Sequence, residues 1–536
     1  MNAGAVADTL RPPQVSVRAG VLATKQTTLI VAGLTVGAAV LRFAGIGHQS
    51  FWYDESFTVL LVHHSPSQML GLLPRTELTP PLYYLLAWPW ARIFGYGEAG
   101  LRSLSALAGV ATVPAIYAAG AKLISRRVGL TGAAIACCSP LLVWYSQEAR
   151  SYALLMLFTT LSLLAFAHAR LPQPASRWLG AWALAASATL ATHYYGVLAV
   201  VPEAVWLVAV HRRDRRTVLA VAGVGAFGLA LLPIALSQRP QASWIAPWRV
   251  DLRLDQIPTQ FLLGTGAPWR TWLELAGVAA VLLAAMMFAR RAEARERRGA
   301  IVSGALAASG LLLSLALVVA GVDELITRNV IVVLIPLIVL ISSGLGARRA
   351  GMLGVAGAAT ICTVGLIAVM GVAADPNLQR PDWRALARAI GSHGRTHTGR
   401  AILIQRYVFL MPLALDMPGL RFVSPHGARV NELDVIAIKA PSDGWFCWWG
   451  SACNLLSSRL DKSIRVPGFH RYGPVLRVNQ FSILRLRSAA TVRLTPNEIS
   501  RALARAPLKA QQPQPRDLPP GFDPPYGYGL LARSTT

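Results

Sequence analysis

Apolar residues along this chain do not alternate with polar ones; they gather into long runs separated by short polar stretches. A helix needs about 20 mostly apolar residues to cross a bilayer. Eleven runs read as spans: 27–46, 101–123, 128–145, 153–169, 178–191, 196–210, 217–236, 272–289, 301–320, 329–345 and 352–373. Alternate connections hold Arg126/Arg127, Arg170/Arg177, Arg212/Arg213/Arg215/Arg216, Arg290/Arg291/Arg295/Arg297/Arg298 and Arg348/Arg349. All five clusters fall on one side, which the positive-inside rule makes cytoplasmic. Residues 1–26 have no secretory signal pattern and read as a cytoplasmic tail. The expected fold is an all-α polytopic membrane bundle of about 11 transmembrane helices over residues 27–373.

Two longer segments interrupt the pattern on the outer side. In the outer loop 47–100, the apolar stretch 80–94 is too short to span and predicts a helix at the membrane interface. The loop 237–270 carries Trp244, Pro247, Trp248 and Trp269, whose amphipathic rings suit the headgroup level. Hydropathy drops past Ala373. Residues 374–506 predict a small extracytoplasmic α/β domain, with a helix at 383–390 and strands at 401–409, 435–438 and 480–486. Residues 507–536, with prolines crowded between 511 and 525, predict a disordered tail.

Composition agrees with a membrane chain. Only 14% of the residues are charged and 54% are hydrophobic, where a soluble protein carries about a quarter charged. The net charge of +26 raises nucleic acid as a partner, but the arginines sit between apolar runs and form no aromatic-basic platform, so no nucleic-acid binding is expected. Cys137, Cys138 and Cys362 lie in apolar runs as small core residues. Cys447 and Cys453 flank a Trp-Trp-Gly turn and are a disulfide candidate outside the cytoplasm, with two free thiols the alternative.

Candidate chemistry gathers at the outer helix ends. Trp52-Tyr53-Asp54-Glu55-Ser56 follows the first span and places two carboxylates beside the membrane, where ionised groups are costly. Gln147-Glu148-Ala149-Arg150-Ser151-Tyr152 fills the turn between the third and fourth spans, and His193-Tyr194-Tyr195 the turn between the fifth and sixth. Asp323, Glu324 and Arg328 lie between the ninth and tenth. Singly each has a bland reading: an N-cap for Asp54, mutual pairing for Glu148 and Arg150, a helix end for His193, snorkelling for Arg328. Together on one face they predict a single polar cavity.

The order of motifs resembles the GT-C membrane glycosyltransferases, in the branch holding protein O-mannosyltransferases, the aminoarabinose transferase of lipid A, and bacterial envelope mannosyl- and arabinosyltransferases. Carrying it are Tyr53-Asp54-Glu55-Ser56, Thr79-Pro80-Pro81-Leu82-Tyr83-Tyr84, Arg102-Ser103-Leu104-Ser105, Tyr145 to Tyr152, and His193-Tyr194-Tyr195-Gly196. The resemblance implies a polyprenyl-phosphate sugar donor, inversion, and an acidic general base from the first outer loop. That base is Asp54, with Glu55 as helper or structural partner. Arg150 and Arg328 are candidates for the donor phosphate because a guanidinium fork suits that anion. His193, Tyr194, Glu148, Gln147 and Tyr152 are candidates for hydrogen bonding or positioning substrate. Thr79 stands where many relatives have His, and Glu77 is a possible compensation. Arg380-Pro381-Asp382-Trp383-Arg384 resembles the entry to the outer domain of envelope transferases.

No cofactor is predicted; a divalent metal is left open, since the acids and His show no ligand spacing. The expected sugar is mannose, with arabinofuranose the alternative, and the acceptor is a glycan, lipoglycan or protein. A transporter or flippase of lipid-linked sugars is the main rival; its polar residues would sit near the bilayer midplane, in repeated halves. A catalytically silent scaffold, binding through its outer domain, is a third reading. The expected location is the plasma membrane, multi-pass, with the N-terminus cytoplasmic and the site outside.

Overall fold

The computed structural model describes residues 15–172, 176–242, 245–246, 249–391, 399–404, 410–438, 465–505 and 529–533. Trp244, Pro247, Trp248, Cys447 and Cys453 lie outside these residues, and with them the disulfide candidate.

The helices in chain order are α1 (Val15–Phe43), α2 (Tyr53–His63), α3 (Pro66–Thr76), α4 (Leu82–Phe94), α5 (Glu98–Leu123), α6 (Arg126–Cys138), α7 (Pro140–Ser146), α8 (Tyr152–Ala169), α9 (Ser176–Thr192) and α10 (Val197–His211). They continue with α11 (Arg215–Ala230), α12 (Leu232–Gln238), α13 (Val250–Leu263), α14 (Arg270–Arg291), α15 (Ala294–Val319), α16 (Leu334–Leu345), α17 (Gly351–Ala374), α18 (Trp383–Gly391), α19 (Leu410–Asp416) and α20 (Pro496–Arg505).

All eleven apolar runs are helical over most of their length, but they do not span alike. Among the described residues eight helices are long and apolar enough to cross a membrane. The run at 128–145 is instead the pair α6 and α7, bent by 58°. Pro140 has no N–H to continue the helix and its ring crowds the preceding turn. Arg42, fully buried at the end of α1, closes the break by donating to the carbonyls of Ala136 at 3.0 Å and Cys137 at 3.2 Å. These are carbonyls a helix end leaves without partners. The two other runs are short: α9 has 17 residues, and the tenth run begins as a 3-10 turn before α16. At Gly109 of α5 any side chain would strike Ser146 of α7, so the close approach of these helices requires glycine there.

The loop 47–100 folds into α2, α3 and α4, and their Val59, Leu61, Met69, Tyr83 and Tyr84 pack against Leu101, Ala149 and Leu154. The helix expected at 80–94 is α4, which starts once Pro80 and Pro81 are passed. The loop is thus a rigid cap on one end of the bundle.

Among the described residues seven strands form one sheet: β1 (Arg400–Ile404), β2 (Leu420–Phe422), β3 (Ala428–Ile438), β4 (His470–Arg471), β5 (Leu476–Val478), β6 (Phe481–Leu494) and β7 (Gly529–Arg533). Their order is β2-β7-β1-β3-β6-β4, with β5 also on β6; β1 and β3 run parallel and the other pairs antiparallel. Side chains alternate across a strand. Ile402 and Ile404 therefore meet Trp383, Leu386 and Ile390 of α18, while Ala401 and Leu403 share a cluster with Ile499 and Ala502 of α20. The expected α/β domain is present, and it does not stop at 506. Strand β7 comes from the stretch expected to be a disordered tail and is paired on both sides, Leu531 lying between Ile402 and Phe422. Five residues beyond a proline-rich stretch are too few to register as a strand by periodicity.

This domain is fastened to the capped end of the bundle. The Ser50 hydroxyl donates to the Pro381 carbonyl at 3.2 Å and accepts from the Trp383 N–H at 2.9 Å, and Arg384 pairs with Glu98 at 2.9 Å.

Candidate active site

The site begins at the first turn of α2. Glu55 accepts from the Trp52 N–H at 3.2 Å and so caps its own helix, and two acids in a first turn suit the positive end of the helix dipole. Consecutive helix residues point about 100° apart, so the two carboxylates face different surroundings. That of Glu55 is fully buried. It accepts from Arg102 Nε at 2.7 Å and Nη2 at 2.6 Å and from the Ala149 N–H at 2.7 Å. Arg102 also donates to the carbonyls of Ile46, Gln49 and Ser50. Burial would raise the Glu55 carboxyl, but the Arg102 guanidinium more than reverses this and holds it below its ordinary value.

The turn between α7 and α8 supplies the next layer. Arg150 forms a two-pronged pair with Glu77, both bonds 2.7 Å, and also donates to the Asp54 backbone carbonyl at 3.1 Å. Burial raises the Glu77 carboxyl above its ordinary value in spite of Arg150. Thr79 bonds the Tyr84 hydroxyl at 3.3 Å. Glu148 does not meet Arg150; it pairs with Arg380 at 3.1 Å. Arg380 is buried over the Trp144 ring at 4.0 Å and reaches the carbonyls of Trp144 and Gln147. Burial pushes the Glu148 carboxyl up to about 7 against the pull of Arg380.

Asp54 has another partner. Its Oδ2 accepts from Arg328 Nη1 at 2.7 Å. The loop carrying Arg328 is fixed by Arg253, which grips Asp323 with bonds of 2.7 and 2.8 Å and reaches the Leu325 carbonyl. The Arg328 and Asp54 side chains keep 12% and 16% exposure, whereas those of the Arg102–Glu55, Arg150–Glu77 and Arg380–Glu148 pairs keep 7% or less. Beside them Tyr152 lies between Tyr145 and His193, with ring centroids 4.6 and 5.6 Å apart. Burial, helped by Arg328 and Arg150, pushes His193 down to about 3, so the ring is neutral near pH 7. Its Nδ1 accepts from the Tyr195 N–H at 3.2 Å, which leaves the proton on Nε2 as a donor.

The sequence-derived candidates thus converge, but in unequal roles. Asp54, Arg328, Tyr152 and His193 form one polar cluster. Arg150 joins it through the Asp54 backbone, with both its terminal guanidinium nitrogens occupied by Glu77. Gln147 turns away: its amide donates to the carbonyls of Leu41, Arg42 and Ala44 at the end of α1. Tyr194 donates to Gln238 of α12 at 2.9 Å and secures that helix instead. Sequence reasoning assigned no role to Arg102 or Arg253. Arg102 lies in the Arg102-Ser103-Leu104-Ser105 motif, and Arg253 in the outer loop 237–270, whose tryptophans are its only sequence signal. Among the described residues no three His, Cys, Asp or Glu side chains lie together so as to hold a metal ion.

The family model described as dolichyl-phosphate-mannose-protein mannosyltransferase matches residues 79–237. ArnT from Cupriavidus metallidurans in the apo state superposes with a TM-score of 0.50 at 13% identity, over 87% of this chain and 98% of that one. The protein O-mannosyltransferase Pmt1-Pmt2 complex of S. cerevisiae bound to the sugar donor matches at 20% identity with a TM-score of 0.31, over 40% of this chain. The chain spans 33% of the length of that relative. The archaeal oligosaccharyltransferase AglB from Archaeoglobus fulgidus matches at 10% identity with a TM-score of 0.45, over 85% of this chain and 74% of that one. No curated protein sequence matches it.

Proposed function

We propose that this chain is a membrane glycosyltransferase of the GT-C superfamily that moves mannose from a polyprenyl-phosphate donor to a glycan, lipoglycan or protein acceptor of the cell envelope, with Asp54 as general base. The observation that carries the reading is the Asp54–Arg328 pair at 2.7 Å, a carboxylate and a guanidinium side by side and more exposed than the Arg102–Glu55, Arg150–Glu77 and Arg380–Glu148 pairs. The family description over residues 79–237 names a lipid-phosphate mannose donor and supports the choice of sugar.

The chemistry needs both groups. The acceptor hydroxyl gives its proton to the Asp54 carboxylate as its oxygen bonds to the anomeric carbon, and the bond from that carbon to the phosphate oxygen breaks. The electron pair leaves with the lipid phosphate, whose growing charge Arg328 meets with a charge-assisted hydrogen bond. Attack opposite the leaving group inverts the anomeric centre. His193, neutral and donating through Nε2, and Tyr152 suit hydroxyls of the sugar or acceptor. The arginine clusters between spans support an inner-membrane orientation with the site and the α/β domain outside.

The test is to incubate membranes containing the protein with radiolabelled polyprenyl-phosphate mannose or polyprenyl-phosphate arabinose. Mannose label should move to an envelope acceptor. Transfer of arabinose instead would replace the sugar, and transfer of neither would overturn the reading.

A further inference from the structure

Three ion pairs around the site are built to stay closed. Arg102–Glu55 and Arg150–Glu77 are two-pronged and buried, and the buried Arg380 is held against Glu148 by two backbone carbonyls and the Trp144 ring. The pair between Arg328 Nη1 and Asp54 Oδ2 is more exposed than any of these three. Its backbone on both sides is nonetheless fixed: the Asp54 carbonyl accepts from Arg150, and Arg253 clamps the loop that carries Arg328. An exchange of partners between these side chains would leave their backbone anchors in place.

We propose that Arg328 serves two anions in turn, Asp54 in the resting protein and the donor's lipid-linked phosphate once it binds, so that donor binding uncovers the general base. This rests on the functional reading above. While Arg328 holds Oδ2, the charge of Asp54 is compensated and one of its oxygens is occupied. A phosphate offers the guanidinium two oxygens in the spacing of its fork. It draws Arg328 away and leaves Asp54 to the acceptor hydroxyl. Departure of the lipid phosphate after transfer returns Arg328 to Asp54. The acceptor therefore meets an active carboxylate only when donor is present.

A binding cycle tests this without knowledge of sugar or acceptor. Undecaprenyl phosphate is titrated into the purified full-length protein, wild type, Asp54→Asn, Arg328→Gln and the double variant, each checked by thermal unfolding. Competition predicts that Asp54→Asn binds the lipid phosphate about tenfold more tightly than wild type, because the arginine is released from its rival. Arg328→Gln should bind about tenfold or more weakly, and adding Asp54→Asn to it should change affinity by less than about twofold. Should Arg328→Gln not fold, Arg328→Lys takes its place, with the same pattern and smaller changes. An unchanged or weakened affinity for Asp54→Asn overturns the exchange, as does equal tightening with and without Arg328, which marks a general charge effect. Failure of wild type to bind undecaprenyl phosphate at all would instead overturn the donor class, and the exchange with it.

Discussion

Asp54 and Glu55 are consecutive residues whose carboxylates answer to different arginines: Asp54 to Arg328 across a partly exposed contact of 2.7 Å, and Glu55 to Arg102 through two buried bonds of 2.7 and 2.6 Å. One turn of helix thus presents a partly exposed acid and a fully buried one. The division follows from their angular separation and from what lies opposite each.

Glu55 and Arg102 should matter to folding more than to chemistry. Breaking a buried pair by removing one partner strands the other charge and costs about 3–5 kcal/mol. Glu55→Gln and Arg102→Met should each lower the thermal unfolding temperature markedly. The double variant should be less destabilised than the sum of the two, as measured by thermal melts of the detergent-solubilised protein.

The pH dependence of stability carries two opposed contributions. Glu148 is raised from 4.5 to about 7, so the native state prefers its protonated form. Its contribution is full below about 4.5 and is lost as pH rises through about 7. His193 is lowered from 6.5 to about 3, so the native state prefers it neutral, and stability is lost as pH falls from about 6.5 toward 3. Glu148→Gln should flatten the fall on the neutral side, and His193→Gln the fall on the acid side, in melting temperature measured against pH.

Arg380 should act as a positioning residue, because it holds the turn of Glu148 and Arg150 from the linker into the α/β domain. Arg380→Met should lower kcat by about tenfold while changing KM for the donor less than about threefold, and Arg380→Lys should restore part of it. Loss of its charge also leaves Glu148 protonated to higher pH. The pH profile should therefore shift upward, which loss of packing alone would not produce.

Much of the bundle was legible because lipid demands long apolar runs, and the positions of Asp54, Arg150, His193 and Arg328 at helix ends placed them on one face. Pairing was not legible. Glu148 and Arg150 invite each other in sequence, yet the turn sends one to Arg380 and the other to Glu77, 73 residues away. Gln147 read as a substrate group because it sits inside the motif, while its amide is used up by the open carbonyls of α1. The break at Ser139 was masked by the uninterrupted hydropathy around Pro140, and β7 by the prolines before it.

The proposed role of the Asp54 carboxylate is to take the acceptor proton. Its most direct measurement compares label transferred from polyprenyl-phosphate mannose by membranes holding equal amounts of wild-type protein and Asp54→Asn. The partly exposed side chain lets the variant fold, so protein level and melting temperature should be nearly unchanged while transfer falls about 10²–10⁴-fold. Transfer by Asp54→Asn within a few fold of wild type would rule out Asp54 as the general base.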